Sequence, residues 1–317
     1  MIMDKKYTAL GLMSGTSMDG VDASVISSFD GIQFEEEFNS YYEYDKNLFT
    51  NLINLRDKIF SSKDLKKLSK ELKTLEKEIT LFHAKVVLDI NKSIKKSTPL
   101  PEIIGFHGQT MFHNSKEKIS LQLGDGNLLS QLTKTIVIYD FRQNDLRNGG
   151  QGAPLTPIFH KSLRNKFWGE KLPLVLINIG GITNATCFHP ENKFKKKMFA
   201  RDLGPGNCLI DEWIRNNSKK RYDKNGLIAK SGKIDELMLI QALENFKIGF
   251  ENSMDIKDFD ISFVRGLSIE DGAATLTKFT SEIISTNLVE LMIKKKFDFN
   301  NKHLTNIIIC GGGRKNK

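Results

Sequence analysis

The stretch Leu10–Ile26 reads LGLMSGTSMDGVDASVI and concentrates residue types that can bind phosphate. Its centre carries two glycines, two hydroxyl side chains and two carboxylates, namely Gly15, Gly20, Thr16, Ser17, Asp19 and Asp22. Glycine lacks a Cβ, so its backbone N–H group can approach phosphate oxygens closely, and hydroxyl groups add further donors. Carboxylates are ligands that Mg²⁺ accepts beside a nucleotide. The pattern predicts a phosphate-binding turn, and the alternative is an ordinary hairpin turn that binds nothing.

Alternating polar and apolar residues on both sides of residues 14–20 predict two strands joined by this turn. Phe34–Tyr44 predicts a third strand. Apolar residues at spacings of three and four from Leu65 to Val86 then predict a long helix packed on the sheet. Ser61 and Asp64 resemble a capping box near its start.

Further polar groups follow the next predicted strand, Ile103–Phe106, in the sequence His107-Gly-Gln-Thr110. Open α/β sheets bind ligands at the carboxyl ends of strands, so these groups are candidates for a site. Ser120–Leu123 predicts another strand, residues 128–132 a helix, and Thr135–Tyr139 a buried strand. The turn-rich segment 148–157 predicts a loop or a connection, and a domain boundary is placed just before it, giving domains 1–140 and 141–317.

The second half repeats the pattern of the first. Leu174–Ile179 and Ile182–Phe188 predict two strands joined by a Gly-Gly turn. A strand over Met198–Arg201 then leads into Asp202-Leu-Gly-Pro-Gly-Asn207, with a helix predicted from residue 208 to residue 214. Asp202 could cap that helix, but Gly-Pro-Gly places it several residues too early for a cap. Residues 271–293 predict a helix, and Ile307–Cys310 predicts a buried strand that runs into three glycines.

Length, composition and charge limit the kinds of protein that this chain can be. The chain has 317 residues, 39% of them hydrophobic, so it can bury a sizeable core in one or two domains. It shows neither a signal peptide nor an apolar run long enough to cross a bilayer, which predicts a soluble, cytoplasmic protein without a membrane partner. The net charge of +9 comes from lysines scattered along the chain, which favours solvated surfaces over nucleic-acid binding.

Two strand–turn–strand units in successive halves, followed by a strand that ends in Gly-Gly-Gly, resemble the organisation of the actin-like ATPases. The motifs SGTSMDGVDAS, GFHGQT, YDFR, GGQGAPLTP, NIGGITN, RDLGPGN and CGGGRKN are more specific. In this order they are similar to those of the anhydro-N-acetylmuramic acid kinases. The resemblance implies an α/β, two-domain actin-like fold with a nucleotide and sugar cleft between the domains.

The resemblance also implies a reaction and the residues for it. The enzyme would open the anhydro bridge of 1,6-anhydro-N-acetylmuramic acid with water and phosphorylate O6, as a step of peptidoglycan recycling. Asp202, the aspartate of the DxGPGN motif, would be the general base. ATP would bind to Gly15, Thr16, Ser17, Met18, Asp19, Gly20, Val21, Asp22, Gly180, Gly181, Thr183, Asn184, Gly311, Gly312 and Gly313. Asp19 and Asp22 would reach Mg²⁺, directly or through water. The sugar would contact His107, Gln109, Arg142 and Gln151, although His107 is equally compatible with a purely structural role.

The end of the chain leaves alternatives open. Family members continue past the Gly-Gly-Gly motif with a further sugar-site glutamate and a returning helix, whereas this sequence stops at Lys317. We therefore expect either a working kinase or a shortened, impaired paralogue that binds nucleotide or muropeptide. A different actin-like sugar kinase or ATPase is a third candidate. The expected partner is a small amino sugar, and the resemblance allows a homodimer.

Overall fold

The structure, a computed structural model, describes residues 5–29, 31, 33–94, 98–169, 174–189, 198–246, 253–295 and 306–316. The chain divides into two compact units, Met1–Leu155 and Thr156–Lys317. Each unit contains one β-sheet with helices, so the fold is mixed α/β.

The first unit extends past residue 140, where the sequence places the boundary. Residues 141–155 stay with this unit because their side chains are anchored in it. Leu146 is fully buried, and Arg142 is hydrogen-bonded to His107.

The sheet of the first unit has the strand order β3-β2-β1-β4-β5, and β6 also pairs with β4. Its strands are β1 (Tyr7–Ser14), β2 (Gly20–Ser28), β3 (Glu35–Glu43), β4 (Ile103–Asn114), β5 (Ile119–Leu123) and β6 (Ile136–Tyr139). Strands β1, β2 and β3 are antiparallel, which confirms the predicted hairpin and third strand, while β4 runs parallel to β1.

Two of these strands differ from expectation. Strand β4 continues eight residues past Phe106, so residues 107–110 lie inside a strand and not beyond its end. Gly108 permits this, since its φ of +72° bends the chain and a Cβ there would lie 2.5 Å from the carbonyl oxygen of Leu123. Strand β6 is largely exposed, with Ile136 63% accessible, because among the described strands it pairs with β4 alone.

Among the described residues, the first unit contains five helices, and several of them pack on the hydrophobic face of the sheet. The five helices are α1 (Lys46–Asp57), α2 (Ser62–Lys67), α3 (Ser69–Ser93), α4 (Gly126–Thr133) and α5 (Gln143–Arg147). The predicted capping box of Ser61 and Asp64 is confirmed at the start of α2. The predicted long helix is interrupted at Leu68, and the apolar stripe of α3 is buried in the same core as β1, β2 and β4.

The sheet of the second unit has the strand order β10-β7-β8-β9. The strands are β7 (Leu174–Ile179), β8 (Ile182–Phe188), β9 (Met198–Pro205) and β10 (Asn306–Cys310). As in the first unit, three consecutive strands are antiparallel and the next strand in the sheet is parallel to the first of them. Strand β10 was expected to be buried, but Ile307 and Ile309 are about half exposed because β10 lies at the edge of the described sheet.

The helices of the second unit are α6 (Pro157–Phe167), α7 (Cys208–Asn217), α8 (Leu227–Ser231), α9 (Glu236–Asn245) and α10 (Ile269–Lys294). Helix α10 contributes to two buried clusters. One includes Trp213 of α7, and the other includes Val175 of β7 and Leu203 of β9. In the described part of the chain, no helix combines the length and apolar character that crossing a membrane requires.

Candidate active site

The turn between β1 and β2 is fixed to the core by Met18. The backbone N–H of Met18 donates to the carbonyl of Gly15 at 3.2 Å, and its φ is +57°. A non-glycine residue in this left-handed region is held there by its surroundings, and the Met18 side chain is fully buried. Val21 is also fully buried. Of the residues predicted to bind ATP, these two therefore offer backbone atoms and not side chains.

Two side chains hold the turn through its carbonyl groups. Gln109 on β4 donates from Nε2 to the carbonyl of Gly15 at 2.8 Å. Arg56 on α1 donates to the carbonyl of Thr16 at 3.4 Å. Gln109 is fully buried, so the structure places this predicted sugar ligand against the turn between β1 and β2.

The carboxylate of Asp19 is oriented by hydroxyl donors. Ser17 Oγ donates to Asp19 Oδ1 at 2.5 Å, and the Tyr41 hydroxyl also bonds to this carboxylate. Burial, followed by the charge of Asp19, raises the pKa of Tyr41, so the phenol remains a donor. Asp22 is exposed on β2.

Asp19 and Asp22 have the chemistry that a nucleotide-bound Mg²⁺ requires. The ion is bound in such sites by one or two carboxylates, with phosphate oxygens and water completing its shell. No group of three or more histidine, cysteine or acidic side chains able to hold a metal occurs among the described residues. The two carboxylates of Asp19 and Asp22 therefore fit a metal ion that also has phosphate oxygens as ligands.

A buried hydrogen-bond chain lies at the start of the same turn. His83 Nδ1 contacts the carbonyl of Ile79 at 2.8 Å and therefore carries the proton, which leaves Nε2 as an acceptor for Ser14 Oγ at 3.1 Å. Tyr44 then donates to Ser14 Oγ at 2.9 Å. Burial lowers the pKa of His83 to about 4, which keeps the ring neutral. Sequence reasoning missed this chain, because its three members are far apart in sequence.

His107 and Arg142, both predicted to contact the sugar, are bonded to each other. Arg142 Nη2 donates to His107 Nε2 at 2.8 Å, and Arg142 Nη1 donates to the carbonyl of Gly152 at 2.7 Å. His107 Nδ1 donates to the carbonyl of Gly108 at 2.7 Å. Burial, with Arg142 as the second cause, lowers the pKa of His107 to about 3. His107 is thus neutral and orients the guanidinium.

The loop that contains Gln151 is shaped by Asp145, which the sequence did not single out. Asp145 Oδ2 accepts the backbone N–H of Gly152 at 2.7 Å, and the carbonyl of Asp145 accepts the N–H of Gly150 at 2.8 Å. A Cβ on Gly150 would lie 2.1 Å from this carboxylate. His113 also bonds to the backbone of Gln151. These contacts bring the loop to the guanidinium of Arg142.

In the second unit, the Gly180-Gly181 turn is bonded to the end of β9. The backbone N–H groups of Gly206 and Asn207 donate to the carbonyls of Gly181 and Gly180 at 2.9 and 2.8 Å. A Cβ on Gly206 would lie 2.1 Å from the Gly180 carbonyl oxygen, so this position requires glycine. The fully buried Thr183 hydroxyl donates across the strands to Pro205 at 3.1 Å. Its side chain therefore stabilises the turn.

Asp202 lies within β9, which extends four residues beyond the predicted Arg201. Its side chain is 7% exposed, and Oδ2 accepts the backbone N–H of Met254 at 2.9 Å. Asn207 occupies the N-cap of α7, so Asp202 does not cap that helix. Asn184 of β8 pairs with Asp202 across the sheet, which places their side chains on one face.

Gly311–Gly313 follow β10 and pack against the end of β7. A Cβ on Gly311 would lie 2.4 Å from the carbonyl oxygen of Ile179, and a Cβ on Gly313 would lie 2.2 Å from Ile179 Cγ2. Gly311 also has a φ of +84°. At Gly311 and Gly313, the protein itself thus excludes a side chain.

The predicted residues of the second unit gather at one end of its sheet. The Gly-Gly turn, the end of β9 with Asp202, and the three glycines after β10 all lie there. Gly-rich turns beside a buried carboxylate are typical of enzymes that bind phosphate groups.

Comparison with known proteins identifies the family to which the chain belongs. Residues 7–317 match the family described as anhydro-N-acetylmuramic acid kinase, and the chain belongs to this family. The Pelagibacter ubique (strain HTCC1062) protein of that name is 52% identical over 99% of this chain and 82% of its own length. The Brucella suis (strain ATCC 23445 / NCTC 10510) protein of that name is 36% identical over 97% of this chain and 80% of its own length.

Proposed function

We propose that this chain converts 1,6-anhydro-N-acetylmuramic acid, ATP and one water into N-acetylmuramic acid 6-phosphate and ADP. Its membership of the anhydro-N-acetylmuramic acid kinase family carries this proposal. The same membership favours a kinase over a non-catalytic binder of the same fold. An enzyme that uses ATP to recycle a cell-wall sugar belongs in the cytoplasm.

Asp202 is the general base of the proposed reaction. Its carboxylate takes a proton from water, the water oxygen attacks C1 of the sugar, and the C1–O6 bond breaks. The released O6 then attacks the γ-phosphorus of ATP, and ADP leaves. The bond from the Met254 N–H supports this role, because it fixes one carboxylate oxygen and so limits the orientations of the other.

ATP is proposed to bind through the turn over residues 15–22, the turn at residues 180–184, and Gly311–Gly313. We further propose that both units follow the actin-like plan that the sequence resembles. The repeated order of three antiparallel strands and one parallel strand supports this. Mg²⁺, held by Asp19 and Asp22, would neutralise charge on the phosphates.

His107, Arg142 and the Gln151 loop are proposed to bind the sugar. The guanidinium is oriented by a neutral imidazole and a backbone carbonyl. An oriented guanidinium suits the lactyl carboxylate of the muramic acid moiety, because it can donate to both carboxylate oxygens.

A coupled assay of ADP release with the anhydro sugar tests the proposal. We expect sugar-dependent ADP release from the native chain, and intact ATP binding with no turnover from Asp202→Asn. Nucleotide binding without ADP release would support the non-catalytic alternative. Release with another sugar but not with this one would indicate a different sugar kinase.

A further inference from the structure

Strand β9 contains one extra residue between the proposed base and the Gly-Gly turn. Thr183 pairs with Gly204, whereas the next residue of β8, Asn184, pairs with Asp202. Leu203 therefore lies in a β-bulge. A bulge redirects the side chains next to it and is common beside active sites.

Helix α10 holds this bulge. Asn287 is 4% exposed, and its Nδ2 donates to the carbonyl of Leu203 at 2.5 Å. The helix also lies directly against Gly204, where a Cβ would be 2.6 Å from Ile283 Cγ2. Gly204 has a φ of +149°, so the chain at the bulge uses both the conformation and the small size of glycine.

We infer that Asn287 is a positioning residue for Asp202, acting through the bulge at Leu203. Side chains alternate faces along a strand. If the bulge at Leu203 were lost and β9 paired regularly with β8, the residues on one side of it would point to the opposite face of the sheet. The bulge sets the position of the Asp202 carboxylate relative to Gly206 and Asn207, which bond to the Gly-Gly turn. The bulge thus fixes the position of the Asp202 carboxylate, which is proposed to activate water, relative to the turn proposed to bind phosphate. This inference rests on the proposed function.

The amide of Asn287 is the feature that matters. Without a donor, the buried carbonyl of Leu203 loses its bond from α10, and regular pairing of β8 with β9 becomes competitive. A small displacement of a catalytic group has a large effect on rate and a small effect on binding at other contacts. Loss of the amide should therefore lower kcat and leave the affinities for ATP and sugar unchanged.

Two variants of Asn287 and one control test this. Asn287→Leu removes the donor at similar volume. Asn287→Asp keeps the shape, but its ionised carboxylate can only accept, whereas its protonated form can donate again. The control Leu276→Ala alters a fully buried residue of the same helix, about 16 Å along the axis from Asn287.

We expect Asn287→Leu to lower kcat by roughly 10- to 100-fold with unchanged dissociation constants for ATP and the sugar. For Asn287→Asp, the ratio of its kcat to that of the native enzyme should rise as the pH is lowered. Leu276→Ala should lower the melting temperature but keep its kcat well below that temperature.

Three results would overturn the inference. They are a native kcat in Asn287→Leu, a ratio of Asn287→Asp kcat to native kcat that does not change with pH, and a loss of kcat in Leu276→Ala equal to that in Asn287→Leu. If Asn287→Leu does not fold, the pH dependence of Asn287→Asp decides. Failure of the proposed base is seen separately, because Asp202→Asn would then retain turnover whatever the Asn287 variants do.

Discussion

Replacing Gln109 by Met removes one hydrogen bond to the turn between β1 and β2 and keeps the buried volume. Gln109 is fully buried, and its Nε2 donates to the Gly15 carbonyl at 2.8 Å. Methionine has a similar length and flexibility without a donor. The substitution therefore asks whether Gln109 acts on the turn, as its contact indicates, or on the sugar, as its sequence motif predicts.

The size of the effect follows from the partners that remain. The Gly15 carbonyl keeps the Met18 N–H at 3.2 Å, so it is not left without a donor. A hydrogen bond contributes about 1 kcal/mol net, which is about a fivefold change in an equilibrium constant. Within the described residues Gln109 Oε1 has no hydrogen-bond partner, so its removal offsets part of the lost stability. We expect about fivefold weaker ATP binding and little change in melting temperature.

Isothermal titration calorimetry with ATP and, separately, with the anhydro sugar measures the two affinities. Gln122→Met is a matched control, because Gln122 on β5 bonds to Thr110 and Ser120 and not to the turn. It should leave ATP binding unchanged. Weaker sugar binding with native ATP binding in Gln109→Met would show that Gln109 is a sugar ligand and would refute the reasoning.

Two further predictions concern pH and packing. Burial lowers the pKa values of His83, His107 and His113 to about 4, 3 and 4, below the ordinary value near 6.5. The unfolded chain therefore binds protons that the folded chain does not. As the pH falls from about 6.5 toward 4, each histidine lowers the free energy of unfolding by up to about 1.4 kcal/mol per pH unit. Urea unfolding at pH 5 and 7 measures this, and equal free energies of unfolding would contradict it. Gly206→Ala should lower the melting temperature and weaken ATP binding, since its Cβ would lie 2.1 Å from a backbone oxygen. The control Gly11→Ala should do neither, because the nearest atom to its Cβ would be 3.9 Å away. Calorimetry that finds the same melting temperature and ATP affinity for both variants would count against the turn geometry.

The regular elements could be predicted where their patterns are local. Alternation around residues 14–20 gave the first hairpin, and the apolar spacing of three and four gave most of α3. The pairing of Ser61 with Asp64 marked the start of a helix correctly. Each of these signals depends on residues within one or two turns of each other, so tertiary contacts do not override them.

Exposure and strand length could not be predicted in the same way. The apolar residues of β6 and β10 look like buried strands, but both strands lie where few neighbours cover them. Strand β4 continues through Gly108 because Leu123, on a different strand, packs against it. A glycine in a sequence predicts a turn as readily as a bulge, and only the neighbouring strand distinguishes the two.

The sequence singled out candidate site residues, whereas their contacts could not be predicted. Asp202, the Gly-Gly turn and Gly311–Gly313 were all singled out, and they gather at one end of a sheet. The partner of Gln109 lies 94 residues away in sequence, and the partner of Asn287 lies 84 residues away. An asparagine within the apolar stripe of α10 was the one available signal for Asn287.

The central claim is that Asp202 removes a proton from the water that attacks C1. Azide tests this most directly, since it is an anion that attacks carbon without being deprotonated. We predict that Asp202→Ala binds ATP, releases no ADP with the anhydro sugar alone, and regains ADP release when sodium azide is added. The product should then carry azide at C1 and phosphate at O6. Native turnover of Asp202→Ala without azide would contradict the claim, as would a variant that binds ATP but is not rescued at any azide concentration.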